Sequence, residues 1–413
     1  MNKRITFFIG LFFAGLTTMA QDTLVFQSPV SYSFIKNKIN VIGNNETLEP
    51  FYTRLNELRE GAHGVVSILH IGDSHIQADY LTGMTRALLQ KAFGNAGLGL
   101  IFPGRVARTN ESPSIYSTLT GTWESNRTTY SQHGSSIGIG GNAIKTEKAG
   151  SVINIRAISA SDAFNRMTLF FQKDFTSFNI MVKDSSNQLL AYAGSFTEEE
   201  TNISKLILPY PVKQVQLETV KTLPTQNQFT LAGVSLENSR PGIRYNITGV
   251  NGAKYKHYVA STELLNQTTA LSPDLIILSM GVNEAADHPN MDKLFGSQVN
   301  TLIAELRKRN PDAIILLTTP MDFYKKRTRR NPGVQIIKNK ILESAAQNKL
   351  PYWDLHEIAG GNHAADKWKK EDLLQSDGIH YTRKGYELQG YLLYEAIIKG
   401  YNKHVLDRYS KTH

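Results

Sequence analysis

Four short blocks hold the side chains that could do chemistry together: Gly72-Asp73-Ser74-His75, Gly249-Val250-Asn251-Gly252, Gly281-Val282-Asn283-Glu284 and Asp377-Gly378-Ile379-His380. A serine hydroxyl is a poor nucleophile until a base removes its proton in the transition state, so Ser74 needs an imidazole within hydrogen-bond reach. His380 fits that need. Asp377 lies three positions before it, so on a helical turn the two share a face, with the carboxylate accepting from Nδ1 while Nε2 meets the serine. Attack on an acyl carbonyl also develops negative charge on oxygen, and preorganised donors offset it by roughly 3–4 kcal/mol each. The backbone N–H of Ser74, the backbone N–H of Gly252, where no side chain hinders approach, and the amide of Asn283 can supply such an oxyanion hole. The chemistry predicted is acyl transfer from an ester, with Ser74, Asp377 and His380 as the triad.

These blocks need elements to carry them. Val65, Val66, Ile68, Leu69 and Ile71 form a nearly continuous apolar run, the pattern of a strand buried on both faces of a parallel sheet. The turn at 72–74 follows, and apolar residues recur at helical spacing from Gln77 to Phe93. Further strands are predicted over Ile243–Val250, Leu275–Met280, Ala313–Thr318 and Tyr352–Leu355, with helices at about 291–309, 334–348 and 383–399. This alternation is α/β patterning, which places helices on both faces of a parallel sheet. In such a sheet functional groups gather beyond the carboxyl ends of strands, where the first three blocks fall. The fourth opens the last helix.

Between about 101 and 240 the character changes. Ser, Thr, Asn and Gly become frequent, and short runs at Val152–Ala157, Met167–Phe171, Phe178–Val182, Leu206–Leu208, Val215–Leu217 and Phe229–Leu236 suggest an antiparallel β-sandwich. The expected order is therefore a signal peptide at 1–20, a first α/β part at 21–104, a β-rich insert at 105–240 and a second α/β part at 241–413.

The four blocks, in this order, resemble the SGNH (GDSL-like) hydrolase superfamily, through Ser74, Gly252, Asn283 and His380. The first block of that family usually ends in leucine, where this sequence has His75. The form with His75, Ile76, Gln77, Ala78 and Asp79 resembles a subgroup containing peptidoglycan and polysaccharide O-acetylesterases. The resemblance implies a three-layer, flavodoxin-like parallel sheet, an inserted sandwich of jelly-roll type with a possible carbohydrate-binding role, and an acetylated glycan as substrate. A lipase- or thioesterase-type acylhydrolase, and a glycan-binding surface protein with a catalytically minor hydrolase domain, remain open at this point.

Other signals compete weakly. Gly134-Ser135-Ser136-Ile137-Gly138 matches a nucleophile elbow in letters, but Ser136 lacks the preceding apolar strand and following helix that an elbow requires. Gly138 to Ala143 likewise imitates a dinucleotide fingerprint without its strand. His63, His70, His75, His356 and His363 show no metal-ligand spacing, so no metal and no cofactor are expected. Asp73 reads as a turn-holding residue. Glu284 and Gln77 suit either pocket-shaping or capping, Trp123 and Trp368 either sugar stacking or packing, and Trp353 the core. Lys325, Lys326, Arg327, Arg329 and Arg330 form a basic loop that could grip an acidic glycan or be merely solvated.

The bulk numbers bound these readings. The chain has 413 residues, 41% of them hydrophobic, enough for a full core and a second domain. No cysteine is present, which excludes thiolate catalysis, thiolate metal sites and lipid attachment at the expected cleavage point. Lys3 and Arg4, the apolar run Ile5–Leu16 and the small Ala20 before Gln21 have the three regions of an export signal. The apolar run falls short of the ~20 residues that span a bilayer, so no membrane span is expected. Export to the periplasm or beyond follows, and nucleic acid is not an expected partner. The formal charge of +9 becomes +7 without Lys3 and Arg4, and this excess suits either solubility or polyanions such as cell-wall polymers. The oligomeric state is left open.

Overall fold

A computed structural model describes residues 23–25, 32–130, 137–195 and 202–412. The expected signal peptide and Ser136 lie outside the described residues.

Five parallel strands form the central sheet: β1 (Val65–Gly72), β2 (Gly242–Gly249), β3 (Leu275–Ser279), β4 (Ile314–Thr318) and β5 (Tyr352–Trp353). Their order is β2-β1-β3-β4-β5, and every pairing is parallel. Alternation splits β1, β3 and β4 between two cores. Val66, Ile68, Leu275, Ile277 and Leu316 pack with helices α1 (Glu49–Arg59), α2 (Tyr80–Phe93) and α5 (Arg383–Thr412). Leu69, Ile71, Ile276, Leu278, Ile315 and Leu317 pack with α3 (Phe295–Arg309) and α4 (Gly333–Gln347). The continuous apolar runs thus reflect burial on both faces, and the result is the three-layer α/β architecture expected.

Two departures occur at helix ends. The helix expected from Gln77 is divided into a short turn, Ser74–Gln77, and α2. Asp79, between them, is held at φ +56° by a buried ion pair, its carboxylate 2.7 Å from Nη2 of Arg86. The last helix continues well past 399. Gly400 reads as a stop signal, yet it sits inside α5, where its missing side chain admits Tyr52 of α1.

The segment between β1's helix and β2 folds as two antiparallel sheets facing each other across one core that includes Ile153, Phe171, Val182, Leu217 and Leu231. One sheet runs 203–212, 164–171, 229–237, 142–146, 124–127, and the other 115–120, 152–157, 214–220, 179–183, 189–193. The strand Gly97–Ile101 hydrogen-bonds to Phe229–Glu237, so antiparallel pairing begins before residue 105. The two parts share side-chain and backbone contacts. Asn246 of β2 accepts from Leu100 N at 2.9 Å, Thr248 donates to Ile139 O at 2.8 Å, and Leu100, Ile139, Phe170 and Ala232 belong to the same core as α3 and α4.

Candidate active site

The strand order reverses direction between β1 and β3, and ligands of open α/β sheets bind at such a point beyond the carboxyl ends. Three neighbouring strands end there. β2 leads to Gly252, β1 to Ser74 and β3 to Asn283, so residues far apart in sequence are delivered side by side. Each of them, with His380, lines one cleft of about 540 Å³.

Ser74 opens the short helical turn whose cap is Asp73, with Asp73 Oδ1 accepting from His75 N at 3.0 Å. The Ser74 hydroxyl lies 3.0 Å from Nε2 of His380, and Nδ1 of His380 lies 2.7 Å from Oδ2 of Asp377. Asp377 and His380 do not sit on a helical turn as expected; they occupy a tight loop that precedes α5. Gly378 takes φ +75° there, and Oδ1 of Asp377 accepts from the backbone of Ile379 at 2.8 Å and of His380 at 3.0 Å. The same carboxylate thus folds the loop and orients the imidazole. Against the opposing effect of partial burial, hydrogen bonds from His380 and from those two amides hold Asp377 below the usual carboxylate range.

Gly252 has φ +76°, and a Cβ there would meet nothing within 4 Å, so the wall of the cleft is bare at this point. Asn283 donates one amide hydrogen to Ala253 O at 2.9 Å, which ties the β3 block to the β2 block. Its second amide hydrogen is left for the cleft that it lines. All the residues singled out in the four blocks are therefore brought to one place, and the arrangement can remove a serine proton and receive a forming oxyanion.

The surroundings refine several sequence readings. Glu284 caps the helical turn Tyr255–Val259 by accepting from Tyr255 N at 2.8 Å, and does not face the cleft. Burial raises both Glu284 and Asp73 to about 7, and each keeps one carboxylate oxygen without a protein partner. Gln77 donates to Thr109 Oγ1 at 2.8 Å, and Asn251 reaches the same hydroxyl at 3.3 Å. Trp353 and Trp368 are buried in the core, and Trp123 packs edge-on against Phe229, so all three serve packing.

His75 is the residue whose importance was missed. It is half-buried, its ring stacks on His380 at 5.2 Å between centroids, and Nδ1 lies 3.0 Å from the Tyr386 hydroxyl. Burial foremost, and then the neighbouring His380, lower it to about 3, so it stands beside His380 as a neutral ring. The departure from leucine at this position was the available signal. Asn110 and Glu111, from the loop leading into the sandwich, also line the cleft, and no spacing pointed to them.

Residues 228–388 match the GDSL-like lipase/acylhydrolase family. A solved structure described as a peptidoglycan O-acetylesterase in action is similar over 85% of this chain and 95% of its own, with 21% identity and a TM-score of 0.70. A lipase/acylhydrolase from Enterococcus faecalis matches at 23% identity over 38% of this chain and 77% of its own, TM-score 0.31. An acetyl xylan esterase matches at 20% identity over 38% and 81%, TM-score 0.32. No curated protein sequence gives a significant match. With the four blocks carried at the ends of a flavodoxin-ordered sheet and the family match over 228–388, the α/β part of this chain is similar to GDSL-like hydrolases of the SGNH type, and the protein is a carboxylic ester hydrolase to which a β-sandwich has been added.

Proposed function

We propose that the protein is an exported serine esterase that removes O-acetyl groups from a carbohydrate polymer. Ser74 Oγ attacks the ester carbonyl while its proton passes to Nε2 of His380. The ester C–O bond then breaks as the imidazolium returns that proton to the departing sugar oxygen, leaving acetyl-Ser74. A water deprotonated by the same imidazole attacks this intermediate, acetate departs and Ser74 regains its proton. Asp377 fixes the imidazole tautomer and stabilises the imidazolium. The N–H groups of Ser74 and Gly252 and the Asn283 amide hold the oxyanion.

The observation that carries this reading is the unbroken hydrogen-bond chain from Asp377 through His380 to Ser74, open to a cleft. Its substrate side rests on two supports. The cleft is rimmed by polar Asn110, Glu111, Asn251 and Gln375, which suits a hydroxyl-rich chain better than an alkyl tail. The similar peptidoglycan O-acetylesterase is matched over nearly its whole length, sandwich included. Export rests on the N-terminal sequence, and recovery of protein beginning near Gln21 outside the cytoplasm is the check.

Acetate release from O-acetylated peptidoglycan and from an O-acetylated polysaccharide, compared side by side, tests the substrate. Ser74→Ala is expected to lower release by at least about 10³-fold, as loss of a nucleophile does in serine hydrolases. Unchanged hydrolysis by that variant overturns the mechanism, and a preference for long acyl esters over acetate overturns the substrate.

A further inference from the structure

The basic loop after β4 is a small hairpin, with Tyr324–Lys325 paired to Arg329–Arg330. It is built onto the active-site loop. Tyr324 N donates to Gly378 O at 2.8 Å, and a side chain at Gly378 would press on Tyr324 and on the carbonyl of Arg327. Gly378 lies between Asp377 and His380, so the hairpin packs directly on the turn that holds the acid and the base. Its base is anchored by Tyr324 Oη to Asp366 and by Lys325 Nζ to His288 O.

The tip behaves differently. Lys326, Arg327, Arg329 and Arg330 are exposed, and Lys326 and Arg327 adopt left-handed φ of +51° and +70°. Arg330 is engaged by Asp366 and His363. Among the described residues, Lys326, Arg327 and Arg329 face no carboxylate within ion-pair distance. Lys369 extends the patch, its ammonium 5.4 Å from the Tyr324 ring. Cations gathered without counter-ions repel one another and cost stability unless an anion is to be met. Guanidinium groups suit carboxylates in particular, because their donors match both oxygens.

We propose that this hairpin is a docking element for a carboxylate-bearing glycan chain, which it holds so that an acetylated sugar reaches Ser74. The inference rests on the esterase reading and deepens it by naming the polymer as anionic. A solvated loop would be indifferent to polymer charge, whereas a docking element acts on KM for charged chains and leaves small neutral esters alone.

The test is the triple variant Lys326→Ala, Arg327→Ala, Arg329→Ala in the full chain, whose changes all lie on exposed positions. Its kcat/KM is measured on p-nitrophenyl acetate, on neutral O-acetylated xylan, and on two anionic polymers, O-acetylated peptidoglycan and an O-acetylated polyuronate. The expected result is a roughly 10-fold loss through KM on an anionic polymer, abolished by raising salt, with the neutral ester and xylan unchanged. The arm that shows the loss identifies the source of the carboxylates. Equal loss on xylan, or no loss on either anionic polymer, overturns the proposal. Absence of turnover of p-nitrophenyl acetate by the unaltered protein would sink the esterase reading instead. Co-sedimentation with de-acetylated polyuronate then decides the docking role, since binding by the unaltered chain that the triple variant lacks supports it and equal binding refutes it.

Discussion

His75 presses a neutral ring on the imidazole that must take and return the serine proton, and Tyr386 fixes that ring through its hydroxyl. Leucine would fill a similar volume but offers no planar face and no partner for Tyr386. His75→Leu is therefore expected to lower kcat on a small ester by roughly 10-fold with KM little changed, because a slight misplacement of a catalytic group is costly. An unchanged kcat in a folded variant would reduce His75 to packing. Glu284 makes a different prediction, about pH. Burial lifts it from 4.5 to about 7, so the unfolded chain releases this proton at a lower pH than the folded one. The contribution is fully present below about 4.5 and is lost as pH rises through about 7. Glu284→Gln keeps an acceptor for Tyr255 and removes the ionisation. Its stability relative to the unaltered protein should rise between pH 5 and pH 8, by an amount on the order of 1–3 kcal/mol in urea unfolding. A difference that stays the same at both values would refute this.

At the scale of elements, α5 decides how closely its layer packs on α1. Gly400 lets α5 lie against Tyr52 of α1, whose hydroxyl donates to Asn45 at 2.6 Å, and an added Cβ would overlap both polar atoms. Helix propensity alone favours alanine over glycine by about 1 kcal/mol in a helix interior. Overpacking costs typically 1–3 kcal/mol, so the two effects oppose each other and the clash is expected to win. Gly400→Ala should lower the thermal midpoint, and a stabilised variant would show that α1 yields without cost. The hairpin at 324–330 and the loop at 377–380 form another such unit, joined through the hairpin's backbone and Tyr324, so a shift of that backbone, though not a change of its exposed side chains, displaces the loop.

Across the whole molecule, the sandwich is not a detachable bead. It shares a core with α3 and α4, exchanges buried hydrogen bonds with β2, and supplies Asn110 and Glu111 to the cleft. Scanning calorimetry should therefore give one cooperative transition, with matching calorimetric and van't Hoff enthalpies. Two resolved transitions would show that the parts unfold independently. A fragment limited to residues 105–240 would lack the strand Gly97–Ile101 that pairs with 229–237 and would expose that edge.

What the sequence by itself determined was local or carried by period. Runs such as Val65–Ile71 could be buried on both faces in one way, and so gave the parallel sheet and its helices. The blocks at 74, 252, 283 and 380 marked the ends of those elements, and the resemblance they carry supplied the family. Tertiary structure alone decided the rest, because no local pattern encodes a contact across three hundred residues. It set His75 on His380, made the Asp377–His380 pair a turn instead of a helix face, and folded five basic residues into a hairpin against that turn. It also ran a helix through Gly400, since there the burial of Tyr52 outweighs a stop signal that is worth only about 1 kcal/mol.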